Sequence, residues 1–238
     1  MKKIFVVMVA VGLCSWTDAF AATCNDLPSA SELQQAMRDA ATIPNAGGLF
    51  GGARMWGAVV NRNGEICRYV TTTEDPTQVW PGSQAIAKAK AYTANAFSLD
   101  TLALSSAMLY TFTQPGHSLW SLGQSNLWHP ALTAPPGGQG GGVGQVGGGL
   151  IFFGGGVPLY RGGKVIGGLG ISGDTSCTDH EIAKRTRDGL GLNPPGGATA
   201  DDIVYSPPDA PSVFAHPKCI NTWRNGVFIG NETLATGY

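Results

Sequence analysis

The chain carries almost no net charge: 15 lysines and arginines face 16 aspartates and glutamates over 238 residues. There is no basic run and no interleaving of basic with aromatic residues, which excludes nucleic acid as a natural partner. Beyond residue 21 no apolar stretch approaches the roughly 20 residues needed to cross a bilayer. Neither CxxC nor HxxxH spacing occurs, so the common patterns of a metal site are missing. No carboxylate pair, Cys/His couple or Ser/His/Asp set stands out by spacing, and residue chemistry alone does not argue for an enzyme.

What is present begins with a leader. Lys2 and Lys3 precede an apolar run over 4–13, and Ala19-Phe20-Ala21 is a small-x-small cleavage site. Residues 1–21 are expected to be a signal peptide, giving a periplasmic or secreted protein with no membrane span after cleavage. Cys14 leaves with the leader. Cys24, Cys67, Cys177 and Cys219 remain, an even number that reads as two disulfides in an exported chain. Of the three possible pairings, Cys24–Cys67 and Cys177–Cys219 are favoured, because each staples one end of the chain to its nearest regular element.

The stretch 154–173 organises the rest. Its 20 residues read as a β-hairpin with strands at 157–160 and 164–171 around Arg161-Gly162-Gly163. In the return strand Val165, Leu169 and Ile171 are expected on one face. Ile166, Gly168 and Gly170 fall on the other, where bare backbone admits another backbone, a helix or a flat ligand. A helix is expected at 179–190, capped by Thr178 with Glu181 three residues on. Upstream, 29–41 reads as a helix, 55–60 and 65–71 as strands around Asn63-Gly64, and 83–97 as an alanine-rich helix. Residues 102–112 are apolar and read as helix or strand. Residues 102–149 form a Gly-rich insertion, 150–153 a returning strand, and 193–238 a Pro/Gly-rich tail tied back by a disulfide. The sum is an α+β domain over 22–192, with about five antiparallel strands and helices on the sheet faces.

Candidate sites are weighed against plainer readings. Gly142-Val143-Gly144-Gln145-Val146-Gly147 has the letters of a dinucleotide loop, but neither a strand before it nor a helix after it. Ser172 has Asp174 where a nucleophile elbow needs glycine. Asp174, Asp179, His180 and Glu181 read as helix-start chemistry before they read as metal ligands. His180 would still sit beside the glycine face, where an imidazole can ligate iron. His117 and His129 lie near Trp120 and Trp128, a combination that can hold a flat macrocycle such as haem. CxxCH is absent, which excludes covalent c-type attachment. Lys88 and Lys90 can pair with propionates or an anionic substrate.

Two blocks carry a resemblance. One is Trp56-Gly57-Ala58-Val59-Val60-Asn61-Arg62-Asn63-Gly64 with the helix 83–97. The other is 154–173 with Asp179-His180-Glu181-Ile182-Ala183. Together they resemble the GlcG/HbpS-like haem-binding family, which also forms the C-terminal domain of PduO-type proteins. The resemblance implies a three-layer α/β/α, profilin-like domain with an antiparallel sheet. It implies self-assembly into dimers and larger rings, and haem or tetrapyrrole binding in some members. Exported members are linked to haem sensing or sequestration; members encoded beside glycolate-oxidation genes have no settled activity. The first-helix histidine that some members are thought to use has no counterpart in 29–41. Ser98 is the nearest match to a hydroxyl that an exported relative supplies. The expected function is a non-enzymatic, exported, homo-oligomeric protein binding haem or a similar flat small molecule. The alternatives are an accessory or assembly protein of a periplasmic oxidation system with no cofactor, and an enzyme acting on an acid or lactone through Lys88 or Ser172.

Overall fold

Serine 29 caps the first helix. Its hydroxyl accepts the Glu32 N–H at 3.2 Å and the Glu32 carboxylate takes the Ser29 N–H at 2.7 Å, so two otherwise unpaired donors are satisfied reciprocally. The computed structural model describes residues 23–129 and 141–234. The expected signal peptide therefore lies outside the described residues, as does part of the Gly-rich insertion.

Helix α1 spans Ala30–Thr42 and buries Leu33, Met37 and Ala40 at helical spacing. Strands β1 (Trp56–Asn61) and β2 (Ile66–Thr71) form the first hairpin, with Gly64 at φ 84° in the turn. Helix α2 spans Ser83–Phe97. The second hairpin is β3 (Gly156–Arg161) and β4 (Lys164–Ser172); Gly162 and Gly163 both have positive φ, as a two-residue turn of this hand demands. A short helix α3 (Leu122–Ser125) lies in the insertion, and α4 spans Ser176–Gly189. A small ribbon, β5 (Thr222–Arg224) and β6 (Val227–Gly230), closes the tail.

The main sheet runs β2-β1-β4-β3, antiparallel throughout. It has four strands rather than about five: residues 150–153 form no strand, and the tail ribbon is a separate two-stranded sheet. One face carries Val59, Val157, Leu159, Leu169 and Ile171 against Leu33 and Met37 of α1 and Ile182 of α4. The other carries Trp56, Ala58, Val60 and Tyr69 against Ala87 and Ala91 of α2. Helices therefore cover both faces, giving three layers. The apolar run 102–112 resolves into 3-10 turns at Ser106–Leu109 and Thr111–Thr113.

Two expectations about the second hairpin change. Leu159 pairs with Gly167 and Tyr160 with Val165, so Ile166 is bulged out of the ladder. The bulge turns its side chain into the cluster of Leu169 and Ile171, not onto the glycine face. The cap of α4 is Thr175, whose hydroxyl accepts the Thr178 N–H, so the helix begins earlier than a Thr178 cap requires.

The disulfides are Cys24–Cys67 and Cys177–Cys219, as favoured from the sequence. The tail is tied by more than its disulfide. Arg187 grips Asp201 with two hydrogen bonds of 2.8 and 2.6 Å, and Lys184 reaches Asp202 at 2.7 Å. Cys177 and Cys219 pack with Ile203, Tyr205 and Ala107. Because Cys177–Cys219 closes a loop across a sequence separation of 42, a Cys177→Ala/Cys219→Ala variant is expected to lose about 4 kcal/mol. Urea unfolding should show that loss, and dithiothreitol should cost the variant less than the parent.

Candidate ligand site

Four histidines exist in the chain, and the fold sorts them into two kinds. His180 is buried in the second turn of α4, and His216, on the tail, is buried beside Tyr110 and Tyr205. His117 and His129 are exposed in the insertion.

The glycine face is taken by α2. A Cβ on Gly170 would lie 1.9 Å from the Ala87 carbonyl oxygen, and one on Gly168 would lie 2.2 Å from that of Ala91. Of the occupants that bare backbone admits, a helix is the one present. Gly168 and Gly170 thus serve close helix–sheet packing and do not line a ligand hollow.

Beside them lies a buried ion pair. Lys90 Nζ donates to Asp179 Oδ2 at 2.6 Å and to the Ile171 carbonyl at 3.1 Å. Asp179 also accepts the N–H groups of Gly173 and Asp174 at 3.1 and 2.9 Å. Burial pushes its carboxyl up to about 6, against the pull of the ammonium and these hydrogen bonds. Lys90 is therefore committed to the core and offers nothing to a propionate. Lys88 is buried too, with its ammonium 4.2 Å from the centre of the Tyr69 ring; burial brings it down to about 8. Tyr69 in turn stacks on Trp56 at 5.1 Å.

His180 does not meet solvent. Its Nε2 stands 3.7 Å from Asp202 Oδ1, too far for a hydrogen bond, and Lys184 already holds that oxygen at 2.7 Å. Burial, followed by the nearby Lys184 and Arg187 charges, holds the imidazole well below its usual range, and it stays neutral. His216 accepts the Gly154 N–H on Nε2 at 3.2 Å, and Nδ1 lies 2.7 Å from the Pro217 carbonyl. That arrangement fixes the proton on Nδ1, because a carbonyl can only accept. Burial brings His216 down to about 4. Its role was not read from the sequence, where it stands among tail prolines without periodicity.

Ser98 is engaged as well. Its hydroxyl donates to the Leu104 carbonyl and accepts the Leu104 N–H, at 3.1 and 3.0 Å, closing the loop that follows α2. Ser172 is buried at the end of β4.

The insertion presents a different surface. The Trp120 N–H bonds to the His117 carbonyl at 3.1 Å, placing both in one turn. Further on, Trp128 bridges to Gly148 and lies against Gly149, whose missing side chain makes room for the indole. The His129 N–H bonds to the Gly147 carbonyl at 3.0 Å. Trp120 and Trp128 are 53% and 40% exposed, and Leu127 is 77% exposed. The segment is anchored to α2 at Ile151, whose N–H bonds to Thr93 Oγ1 at 2.9 Å. Exposed imidazoles and exposed indoles on one segment are side chains a flat, iron-bearing macrocycle can use: nitrogen for the iron, aromatic surface for the ring.

A model of the family described as "Haem degrading protein HbpS-like" matches residues 26–188, well over half of the chain. The chain belongs to the HbpS-like family. No curated protein matches it. Among solved structures, this HbpS-like chain is similar to Klebsiella pneumoniae protein ORFY, at 23% identity and a TM-score of 0.49, covering 68% of this chain and 87% of that one. It is similar to a PduOC:heme complex at 23% and 0.48, covering 68% and 92%. It is also similar to a double mutant of Streptomyces reticuli HbpS at 22% and 0.46, covering 79% and 99%. The HbpS-like match ends within α4, so the tail that buries His216 and pairs with Arg187 lies beyond it. Among the described residues, no group of three His, Cys, Asp or Glu could hold a metal ion, and no helix is long and apolar enough to cross a membrane.

Proposed function

We propose that this HbpS-like chain is an exported, non-enzymatic haem-binding protein that senses or sequesters its ligand and works as a homo-oligomer. The iron ligand is a histidine of the insertion, His117 or His129, with Trp120 and Trp128 supplying aromatic surface. One observation supports this choice above others: two of the four histidines are buried in the core, and the two in the insertion are exposed, as are Trp120 and Trp128. Haem when bound would supply an iron centre; the chain supplies a neutral imidazole and apolar cover. His180 acts as a core residue in this reading.

Titration of the purified mature protein with haemin tests it. The Soret band should shift for the parent protein, and should shift equally for His180→Ala. A protein that stays colourless, gives no shift and co-purifies with a dehydrogenase would instead favour an accessory role. The family description adds haem turnover; loss of the Soret band with time, after binding, would reveal it.

A further inference from the structure

A further cavity has no histidine in its lining. It is a groove of about 780 Å³ between α1 and the end of α4. Its apolar lining is Ala36, Ala40, Ile43 and Leu190. Ile43 is half exposed. Three exposed carboxylates border the groove: Glu32, Asp39 and Asp188.

None of these three forms an ion pair among the described residues. Glu32 takes the Ser29 N–H, Asp39 the Gln35 amide at 2.8 Å, and Asp188 the Asn193 amide at 2.6 Å. All of those donors are neutral. The cation that lines the groove, Arg185, is spent elsewhere. It pairs with Glu181 at 3.0 Å and donates to the carbonyls of Ile43, Pro44 and Asn45. The groove therefore shows an apolar strip bordered by three carboxylates without a direct ion pair among the described residues, in a chain whose net charge is only −1.

That pattern selects its occupant. Haem carries propionates and is repelled. A bare metal ion finds no cluster of three ligands among the described residues. A ligand with cationic groups around an apolar body satisfies both features. We propose that the α1–α4 groove docks a cationic, amphipathic helical segment of a partner protein. From Glu32 to Thr42, α1 runs for about 15 Å, nearly three turns of helix. Ala36 is half-buried on the groove side of α1, and its small side chain lets a second helix approach closely. Lysines or arginines flanking the partner's apolar stripe meet Glu32, Asp39 and Asp188.

The probe is a fluorescein-labelled, 14-residue leucine–lysine peptide with leucines at helical spacing; its counterpart carries glutamate for lysine. Fluorescence anisotropy with the full mature protein should show binding of the lysine peptide only, weakening as salt rises. Asp39→Asn/Asp188→Asn should weaken binding about tenfold. Ala36→Trp, which fills the groove, should abolish it while leaving circular dichroism and the haemin response intact. Equal binding of both peptides, or unchanged affinity in the aspartate variant, overturns the proposal. So does a lysine peptide that fails to bind while Ala36→Trp breaks a homo-oligomer, since the groove is then a contact between copies of this chain. The haemin response is read separately, so failure here leaves the haem proposal standing.

Discussion

Lys90→Met lowers the stability of the fold by about 3–5 kcal/mol at neutral pH, the cost of leaving a buried charge without its partner. The methionine fills the space of the lysine stem, so cavity formation contributes little. The cost comes from Asp179, which is buried with Lys90 and loses the 2.6 Å ammonium contact. The two N–H groups of Gly173 and Asp174 still reach it, and they place the expected loss at the lower end of the range. Without the ammonium Asp179 takes up a proton more readily, so the destabilisation should shrink as pH falls from 8 to 5. Urea unfolding at those two pH values measures both effects. A Lys90→Met/Asp179→Leu double variant should recover only part of the loss, because it orphans those two N–H groups.

Mild acid destabilises the protein through its buried histidines. The unfolded chain protonates histidine near pH 6.5, whereas folded His216 resists protonation down to about 4 and folded His180 resists strongly. Both folded values are depressed, so their stability is fully present above pH 6.5 and is lost as pH falls through that window. For His216 the loss is on the order of 3 kcal/mol. Asp179 acts in the opposite sense. Its folded value is raised to about 6, so its contribution is present below pH 4 and lost as pH rises through 6. On the way down it roughly offsets His216, which leaves His180 to decide the net direction, downward. Melting temperature should therefore fall from pH 7 to pH 4.5, and His180→Leu should remove most of that fall. His216→Phe should remove part of it, since the opposing response of Asp179 then remains.

The local elements were legible because their signals are local. Residues 29–41 carry apolar side chains at helical spacing, and Asn63-Gly64 and Gly162-Gly163 allow only a tight turn. The α4 cap misled because Thr178 and Glu181 spell the same capping letters as a true box, while the hydroxyl at Thr175 does the work. Strict alternation along β4 concealed the bulge at Ile166, since a bulge is a property of the pairing and not of one strand. The glycine face was rightly read as a place of close approach. That α2 fills it is a matter of tertiary packing, in which Ala87 and Ala91 fit against Gly168 and Gly170. The same holds for the tail. Asp201 and Asp202 meet α4, and His216 meets Gly154 from 62 residues away. No window of sequence contains both members of such a pair. His180 was placed on the correct element, but the helix starts at Ser176 and turns that imidazole inward.

Haemin titration of the mature protein carrying His117→Ala/His129→Ala, followed at the Soret band beside the parent protein, tests the central claim most directly. The shift seen for the parent should vanish in the double variant, with melting temperature unchanged. A full shift in the double variant, or none in the parent, contradicts the assignment of the insertion as the haem site.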